Sequence, residues 1–131
     1  MEKEMFYIKI VGIIFDTQSR KILIGKNKGD EKYSFLEGNL NHEEELDKCL
    51  KRITKEKTGF EIHNLGAVYA ENMLKDKDKV KLHFLCEKNG EDKETPGENV
   101  EELIWVKPSE VEEKLGVNLP SRLHEYLMNL E

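Results

Sequence analysis

The stretch GNLNHEEELDKCLKRITKEKTGF, from Gly38 to Phe60, decides how this chain folds. Its apolar side chains recur at the i, i+3, i+4 and i+7 spacing of one helical face, namely Leu46, Cys49, Leu50 and Ile53. Asn41 followed three residues later by Glu44 is typical of a helix N-cap and its capping-box partner. Gly59 stands where a left-handed residue ends a helix. The stretch therefore predicts a loop and an amphipathic helix from Asn41 to Thr58.

Segments rich in β-branched residues lie on both sides of this helix. Before it, residues 6–15 and 21–25 enclose the turn-forming sequence DTQS and predict a hairpin, which a short extended segment at 33–36 follows. After it, three further strands are predicted, within residues 60–73, 80–87 and 102–106. The charged sequence LKDKDK predicts a turn between the first two of these.

Two more helices are predicted near the end of the sequence. Pro108 begins a short helix with the sequence PSEVEEKL, and a last helix starts at about Pro120 with Leu123, Leu127 and Leu130 as its buried residues. The order strands, helix, strands, helix predicts a mixed β-sheet with helices packed on it. A chain of 131 residues without internal repeats or low-complexity linkers predicts a single domain over residues 1–131.

Composition narrows the classes of function. The net charge of −6 argues against a DNA-binding protein, because affinity for a nucleic acid backbone comes from clustered Lys and Arg. No apolar stretch has the roughly 20 residues of a membrane helix, and the first ten residues do not resemble a signal peptide. Cys49 and Cys86 form neither a CxxC motif nor a disulfide framework. We therefore expect a soluble cytoplasmic protein without a membrane partner, for which a dimer is compatible with the sequence.

The Gly38–Phe60 stretch resembles the Nudix box. Five of its residues stand at the family spacing: Gly38, Glu44, Arg52, Glu56 and Gly59. The resemblance implies the α/β class and a Nudix-type α/β/α sandwich, in which a mixed β-sheet carries a loop-helix catalytic motif. It also implies a metal-dependent hydrolase of nucleoside-diphosphate-linked compounds, whose glutamates bind Mg²⁺ or Mn²⁺. In the family, that metal bridges the diphosphate and helps to activate water.

The box departs from the family pattern at the metal ligands. Ile53 stands where a Glu follows the Arg, and Lys57 replaces the second Glu of the Glu-Glu pair. Leu36, Glu37 and Gly38 replace the usual Pro-Gly-Gly. Positions 53, 56 and 57 are neighbours on a helix, and two or more hard anionic oxygens are needed to hold a divalent cation that otherwise keeps its own water. One carboxylate remains here, beside an ammonium group that repels such a cation.

The resemblance assigns roles to five residues, each with a simpler alternative. Glu56, Glu44 and Arg52 are the candidate catalytic residues, with Glu56 the remaining metal ligand, and Lys57 and Gly38 are candidate phosphate-binding residues. Alternatively, Glu44 is only the capping partner of the helix, Arg52 connects the loop to the helix, and Glu56 and Lys57 form a solvated pair. Lys57 is also favoured near a helix C-terminus by the helix dipole.

Other acidic and aromatic residues leave further alternatives open. Four glutamates are candidates for rebuilding a displaced metal site: Glu37, Glu43, Glu45 and Glu98. Tyr33, Phe35 and Trp105 would stack on a base or belong to the core. The four histidines are isolated and lack metal-site spacing.

Three functions follow from these observations. The first is a Nudix hydrolase that uses Mg²⁺ or Mn²⁺ held by Glu56 and a further acid. The second is a pseudoenzyme without a cofactor that binds a nucleotide, a nucleoside-diphosphate derivative or a protein on the Nudix scaffold. The third is an interaction domain without a ligand, because a fold does not fix a function.

Overall fold

A computed structural model describes residues 7–73, 79–91 and 93–131 of the chain. Its six strands are β1 (Tyr7–Asp16), β2 (Lys21–Asn27), β3 (Leu36–Asn39), β4 (Ile62–Met73), β5 (Lys79–Lys88) and β6 (Val100–Val106). Its helices are α1 (Leu46–Thr58), α2 (Val111–Leu115) and α3 (Ser121–Leu130), with a 3-10 turn at Pro108–Glu110 before α2. The predicted order of strands and helices is therefore confirmed.

The strands form one mixed sheet, as predicted. Its order is β4-β5-β1-β2-β6, and β3 pairs with the first half of β1 on the side where β2 pairs with the second half. The β1 and β5 strands are parallel, whereas the other pairs are antiparallel. The central strand β1 thus brings residues of β3 and β5, distant in sequence, to the same place.

Alternating residues of β1 separate two hydrophobic cores. Ile10 and Ile14 pack with Cys49, Leu50 and Ile53 of α1 on one face of the sheet. Val11 and Ile13 face the other way and pack with apolar residues of the C-terminal helices, namely Val111, Leu115, Leu123 and Leu127. The sheet therefore lies between α1 and the α2–α3 pair, and the α/β/α arrangement predicted from the sequence is observed.

The predicted start of the first helix was wrong. Helix α1 begins at Leu46 rather than near Asn41, and its N-cap residue is Glu45, which makes no side-chain capping bond. The cause is Glu43, whose left-handed conformation (φ 68°) interrupts any helix at that point. Leu46 is 40% exposed and does not belong to the buried stripe. At the other end, Gly59 is left-handed (φ 80°) and donates to the Lys55 carbonyl, which confirms the predicted C-terminus.

Smaller differences concern the strands beside the box. The extended segment predicted at 33–36 leads into β3, which begins at Leu36 and runs to Asn39, and Ser34 forms an isolated bridge with Gly25. The start of the first predicted strand at Phe6 and residues 74–78 of the predicted LKDKDK turn lie outside the described residues. None of the helices in the described ranges is long and apolar enough to cross a membrane.

Candidate functional site

Arg52 connects α1 to the loop that precedes it. Its Nε and Nη2 atoms donate to the two carboxylate oxygens of Glu44 over 2.8 and 3.0 Å, and Nη2 also donates to the Asn39 carbonyl over 3.2 Å. The backbone N–H of Asn41 donates to the same Glu44 carboxylate over 3.2 Å. Planar guanidinium groups match carboxylates in this two-bond geometry. Glu44 and Arg52 therefore fix the loop between β3 and α1.

This pair predicts a pH dependence of stability. Hydrogen bonds from Arg52 lower the pKa of Glu44 to about 2. Because the folded pKa lies below the unfolded value, the pair stabilises the fold above pH about 4.5 and loses this effect as the pH falls towards about 2. We expect Arg52→Met to lower the free energy of unfolding near neutral pH, with a difference from wild type that shrinks over this range. Urea titrations at several pH values measure it.

A matched control for that titration is Lys48→Met. Lys48 also lies on α1, and its substitution removes an exposed ion pair with Glu45 at 4.0 Å. Exposed pairs of this kind contribute little to stability, so its difference from wild type should be small at every pH. A difference for Arg52→Met that stays constant between about pH 5 and pH 2.5 would contradict the prediction, since Glu44 of the unfolded chain protonates over that range whereas the folded wild-type carboxylate stays ionised down to about pH 2.

Ile53 occupies the position where the family has a metal-binding glutamate, and its side chain lies in the core. It is 3% exposed and packs with Cys49 and Leu50. Gly38 on β3 faces it so closely that a Cβ on Gly38 would lie 2.8 Å from two carbon atoms of the Ile53 side chain. Gly38 thus provides space for Ile53.

Lys57 lies near the end of α1 and is half-buried. Its ammonium group donates to the side-chain oxygen of Asn27 over 3.1 Å. Burial lowers the pKa of Lys57, while the charges of Glu37, Asp30 and Glu56 oppose this shift. Lys57 and Glu56 also line a small cavity of about 280 Å³ together with residues 98–100. Glu56 also meets Arg52 at 3.5 Å.

A second group of charges lies on the sheet face opposite α1. Glu37 on β3 meets Lys9 of β1 at 3.5 Å with one carboxylate oxygen and Lys81 of β5 at 3.6 Å with the other. Lys9 and Lys81 are direct register partners in the parallel β1–β5 pair. Lys57 is electrostatically coupled to both Glu37 and Lys9. We call Lys9, Lys81 and Glu37 on this face, together with Lys57 of α1, the lysine cluster.

A cavity of about 700 Å³ adjoins the lysine cluster. Its walls come from residues 29–35 and 115–123, and Glu37, Lys81 and His83 lie in its lining. His83 is 4% exposed, packs edge-on against Phe35 and Tyr69, and its Nδ1 atom has no hydrogen-bond partner in the described part of the chain. Burial lowers the pKa of His83, so the ring is neutral near neutral pH.

Aromatic residues considered for stacking take two different positions. Tyr33 and Phe35 line this cavity, and Phe35 also belongs to the adjoining core. Trp105 packs against the core on the α1 side and is absent from the lining.

The carboxylates proposed as metal ligands do not form a metal site in the part of the chain that the structure describes. Within residues 7–73, 79–91 and 93–131, no group of three or more His, Cys, Asp or Glu side chains is arranged to hold a metal ion. Glu44 pairs with Arg52, Glu37 pairs with two lysines, and Glu45 meets Lys48. Glu43 is exposed. Glu98 lines the same cavity as Glu56.

The end of α1 is held by the segment 93–99. The backbone N–H groups of Thr95 and Gly97 donate to the carbonyls of Thr58 and Lys57 over 2.7 and 3.1 Å, so they satisfy acceptors that a helix end leaves free. A Cβ on Gly97 would overlap the carbonyl oxygen of Glu56. The Glu56–Lys57 segment is therefore positioned from outside the helix.

Sequence reasoning missed Lys9, Lys81, His83 and the role of Glu37 as their neighbour. A signal was present, because YIKIV and VKLHF each place a polar residue at alternate positions within an apolar strand. A lysine on a strand face that is otherwise buried requires either an anion or solvent access. Which strands are adjacent, however, depends on contacts distant in sequence.

Comparisons with known proteins agree on the fold. The family model of the NUDIX domain matches residues 6–127. The structure superposes on a NUDIX hydrolase from Nitrosomonas europaea with a TM-score of 0.81 at 15% identity, covering 98% of this chain and 73% of that chain. An ADP-ribose pyrophosphatase from Streptococcus suis gives 0.76 at 18% identity, covering 95% and 92%. These similarities confirm the predicted Nudix-type fold.

A third solved structure is longer than this chain. The MutT/nudix family protein from Enterococcus faecalis gives a TM-score of 0.64 at 20% identity over 80% of this chain, which spans 45% of that protein. None of the curated proteins matches the sequence. At identities of this size, the solved structures support the fold and do not identify the ligand.

Proposed function

Because this chain belongs to the NUDIX domain family, we propose that it binds a nucleoside-diphosphate-linked compound and hydrolyses it weakly or not at all. One observation carries the proposal: at the metal-binding positions of the box, Ile53 is buried under Gly38 and Lys57 donates to Asn27. Glu56 is then the carboxylate that α1 retains there. A single carboxylate next to an ammonium group does not fit Mg²⁺, which needs several hard oxygen ligands.

The large cavity supports ligand binding. Its volume of about 700 Å³ lies in the range of small-molecule sites, which combine apolar walls with a few polar groups that orient the ligand. Phe35 and Tyr33 supply the apolar wall, and His83 adds a polar side chain to the lining. Lys81 at the edge of the cavity supplies positive charge for phosphate.

The proposal assigns structural or binding roles to four residues of the box region. Glu44 and Arg52 position the loop, Gly38 accommodates Ile53, and Lys57 contributes positive charge for phosphate. Glu56 is not proposed as a catalytic residue. We also propose a cytoplasmic location, because Cys49 and Cys86 are buried free thiols and cysteines stay reduced in that compartment.

A second candidate function is metal-dependent hydrolysis at a displaced site. Glu98 lines the same small cavity as Glu56, so these two carboxylates approach one space. With Mg²⁺ or Mn²⁺ between them, the metal would polarise a phosphoryl oxygen and lower the pKa of bound water. The Lys57 ammonium in the lining of that cavity opposes this arrangement.

Binding and turnover measured separately distinguish the two functions. We expect calorimetry with ADP-ribose and with nucleoside triphosphates to detect binding of at least one compound. Product release should stay near the uncatalysed rate over a titration with Mg²⁺ and Mn²⁺. Turnover that needs the metal and is lost in both Glu56→Gln and Glu98→Gln would replace the proposal with the second candidate. Failure of all compounds to bind, with and without metal, would reject both functions.

A further inference from the structure

Two lysines lie side by side on the central strands of the sheet. Lys9 and Lys81 are register partners, so their side chains leave the same face of adjacent strands. Like charges at such positions destabilise a sheet. Each side chain is about one quarter exposed, so solvent screens their repulsion only in part. An anion between the two ammonium groups would therefore reduce this repulsion.

Glu37 supplies part of that negative charge. Each of its two carboxylate oxygens meets one of the two ammonium groups, at 3.5 and 3.6 Å. Lys57 adds a third positive charge that is coupled to Glu37, and Asp30 and Glu56 also act on Lys57. The Glu37 carboxylate thus contacts two ammonium groups and interacts electrostatically with a third, in a chain whose net charge is −6.

We propose that the lysine cluster is a metal-independent binding site for the diphosphate of the ligand, and that Glu37 is an internal counterion which the diphosphate displaces. The inference rests on the proposed function for its ligand class and adds the residues and the absence of a metal requirement. Ammonium groups bind phosphate as point charges. A phosphate group presents anionic oxygens in pairs, as the Glu37 carboxylate does between Lys9 and Lys81.

The position of the cluster fits this ligand. Glu37 and Lys81 line the large cavity, so a diphosphate between the lysines leaves its remaining groups next to His83 and Phe35. The charge of Lys57, on α1 where the family has a metal-binding glutamate, also acts on Glu37 and Lys9. The ammonium groups therefore neutralise the diphosphate at a place where a divalent cation would be repelled.

Calorimetry on the full chain with inorganic pyrophosphate tests the inference, once in excess EDTA and once in excess Mg²⁺. We expect binding in EDTA, and weaker binding with Mg²⁺ because the cation reduces the charge of pyrophosphate. Lys9→Met, Lys57→Met and Lys81→Met should each weaken binding by about tenfold, the effect of losing one charge-assisted hydrogen bond. Methionine keeps most of the side-chain length. Circular dichroism verifies that each variant is folded.

Glu37→Gln gives the sharper test, because the sign of its effect depends on the role of Glu37. Removal of a competing carboxylate should strengthen pyrophosphate binding by roughly threefold, the strength of a partly exposed ion pair. If Glu37 were instead a metal ligand, Glu37→Gln would weaken binding. The matched control for the lysine variants is Lys55→Met. Lys55 lies on α1, as Lys57 does, and pairs with Glu61 at 3.3 Å, so its loss should leave pyrophosphate binding unchanged.

Three results would overturn the inference: binding of pyrophosphate only with Mg²⁺, unchanged affinity in the three lysine variants, or weaker binding in Glu37→Gln. The proposed function fails by a different result, the absence of binding to any nucleotide compound under either condition. A nucleotide that binds with Mg²⁺, combined with no pyrophosphate binding in EDTA, would therefore reject the lysine cluster and keep the broader ligand class.

Discussion

Ile53→Glu is expected to lower the free energy of unfolding by about 3 kcal/mol, since it moves a carboxylate into a closed apolar site. Ile53 is 3% exposed and packs with Cys49 and Leu50, and the backbone of Gly38 closes the site from the sheet. A buried carboxyl group has a raised pKa. The destabilisation should therefore be largest near neutral pH and decrease as the pH falls and the new group is protonated. Urea unfolding at two pH values measures both effects.

Ile53→Val is the matched control for this substitution. It keeps an apolar β-branched side chain and removes one methylene group, so its cost should be about 1 kcal/mol and independent of pH. Equal losses for the two variants would mean that cavity formation dominates and that the carboxylate escapes to solvent. That outcome would contradict the view that position 53 is closed.

The same burial decides what adding glutamates back to the box would achieve. In Ile53→Glu with Lys57→Glu, the first carboxylate enters the core and the second replaces the ammonium that donates to Asn27. We expect no Mg²⁺-dependent turnover from this double variant. Turnover would show that the helix can rotate its side chains towards a metal, and that the pocket still accepts a hydrolysable substrate.

The predicted parts of the fold are those that local chemistry determines. The Gly59 terminus of α1 follows from a glycine placed after a helical pattern, and the apolar faces of β1 follow from its β-branched residues. The start of α1 did not follow, because the capping pattern does not reveal the left-handed conformation of Glu43, which lies between Asn41 and the helix. A capping pattern predicts the Asn41–Glu44 hydrogen bond, which does form, without the helix that normally accompanies it.

The sequence predicted the residues of the candidate site that lie on α1, and it did not predict those that lie on the sheet. The box spacing identifies Arg52, Glu56 and Lys57 from the sequence. The lysine cluster depends on the parallel pairing of β1 with β5 and on β3 lying beside β1, which joins residues 9, 37 and 81. Which strands pair depends on contacts between residues that are distant in the sequence, across the whole sheet. Lysines in apolar strands are nevertheless a usable signal once the strand order is known.

Gly97→Ala is expected to destabilise the chain by about 3 kcal/mol, at the upper end of overpacking effects. The added Cβ would overlap the carbonyl oxygen of Glu56, a backbone atom that cannot move as a flexible side chain does. Displacement of the 93–99 segment would also remove the hydrogen bonds from Thr95 and Gly97 to the end of α1. Thermal and urea unfolding measure the loss of stability.

Gly90→Ala separates backbone strain from steric overlap. Gly90 is left-handed (φ 74°) and a Cβ there would meet no atom within 4 Å, so its cost should be limited to about 1 kcal/mol of conformational strain. The loss of unfolding free energy in Gly97→Ala should clearly exceed the loss in Gly90→Ala. Gly97→Ala should also change the environment of Lys57, whose carbonyl accepts the Gly97 N–H. Equal losses of unfolding free energy in the two variants would mean that the segment 93–99 moves away from α1 without destabilising the fold. In that case the end of the helix, including Lys57, would not be positioned from outside.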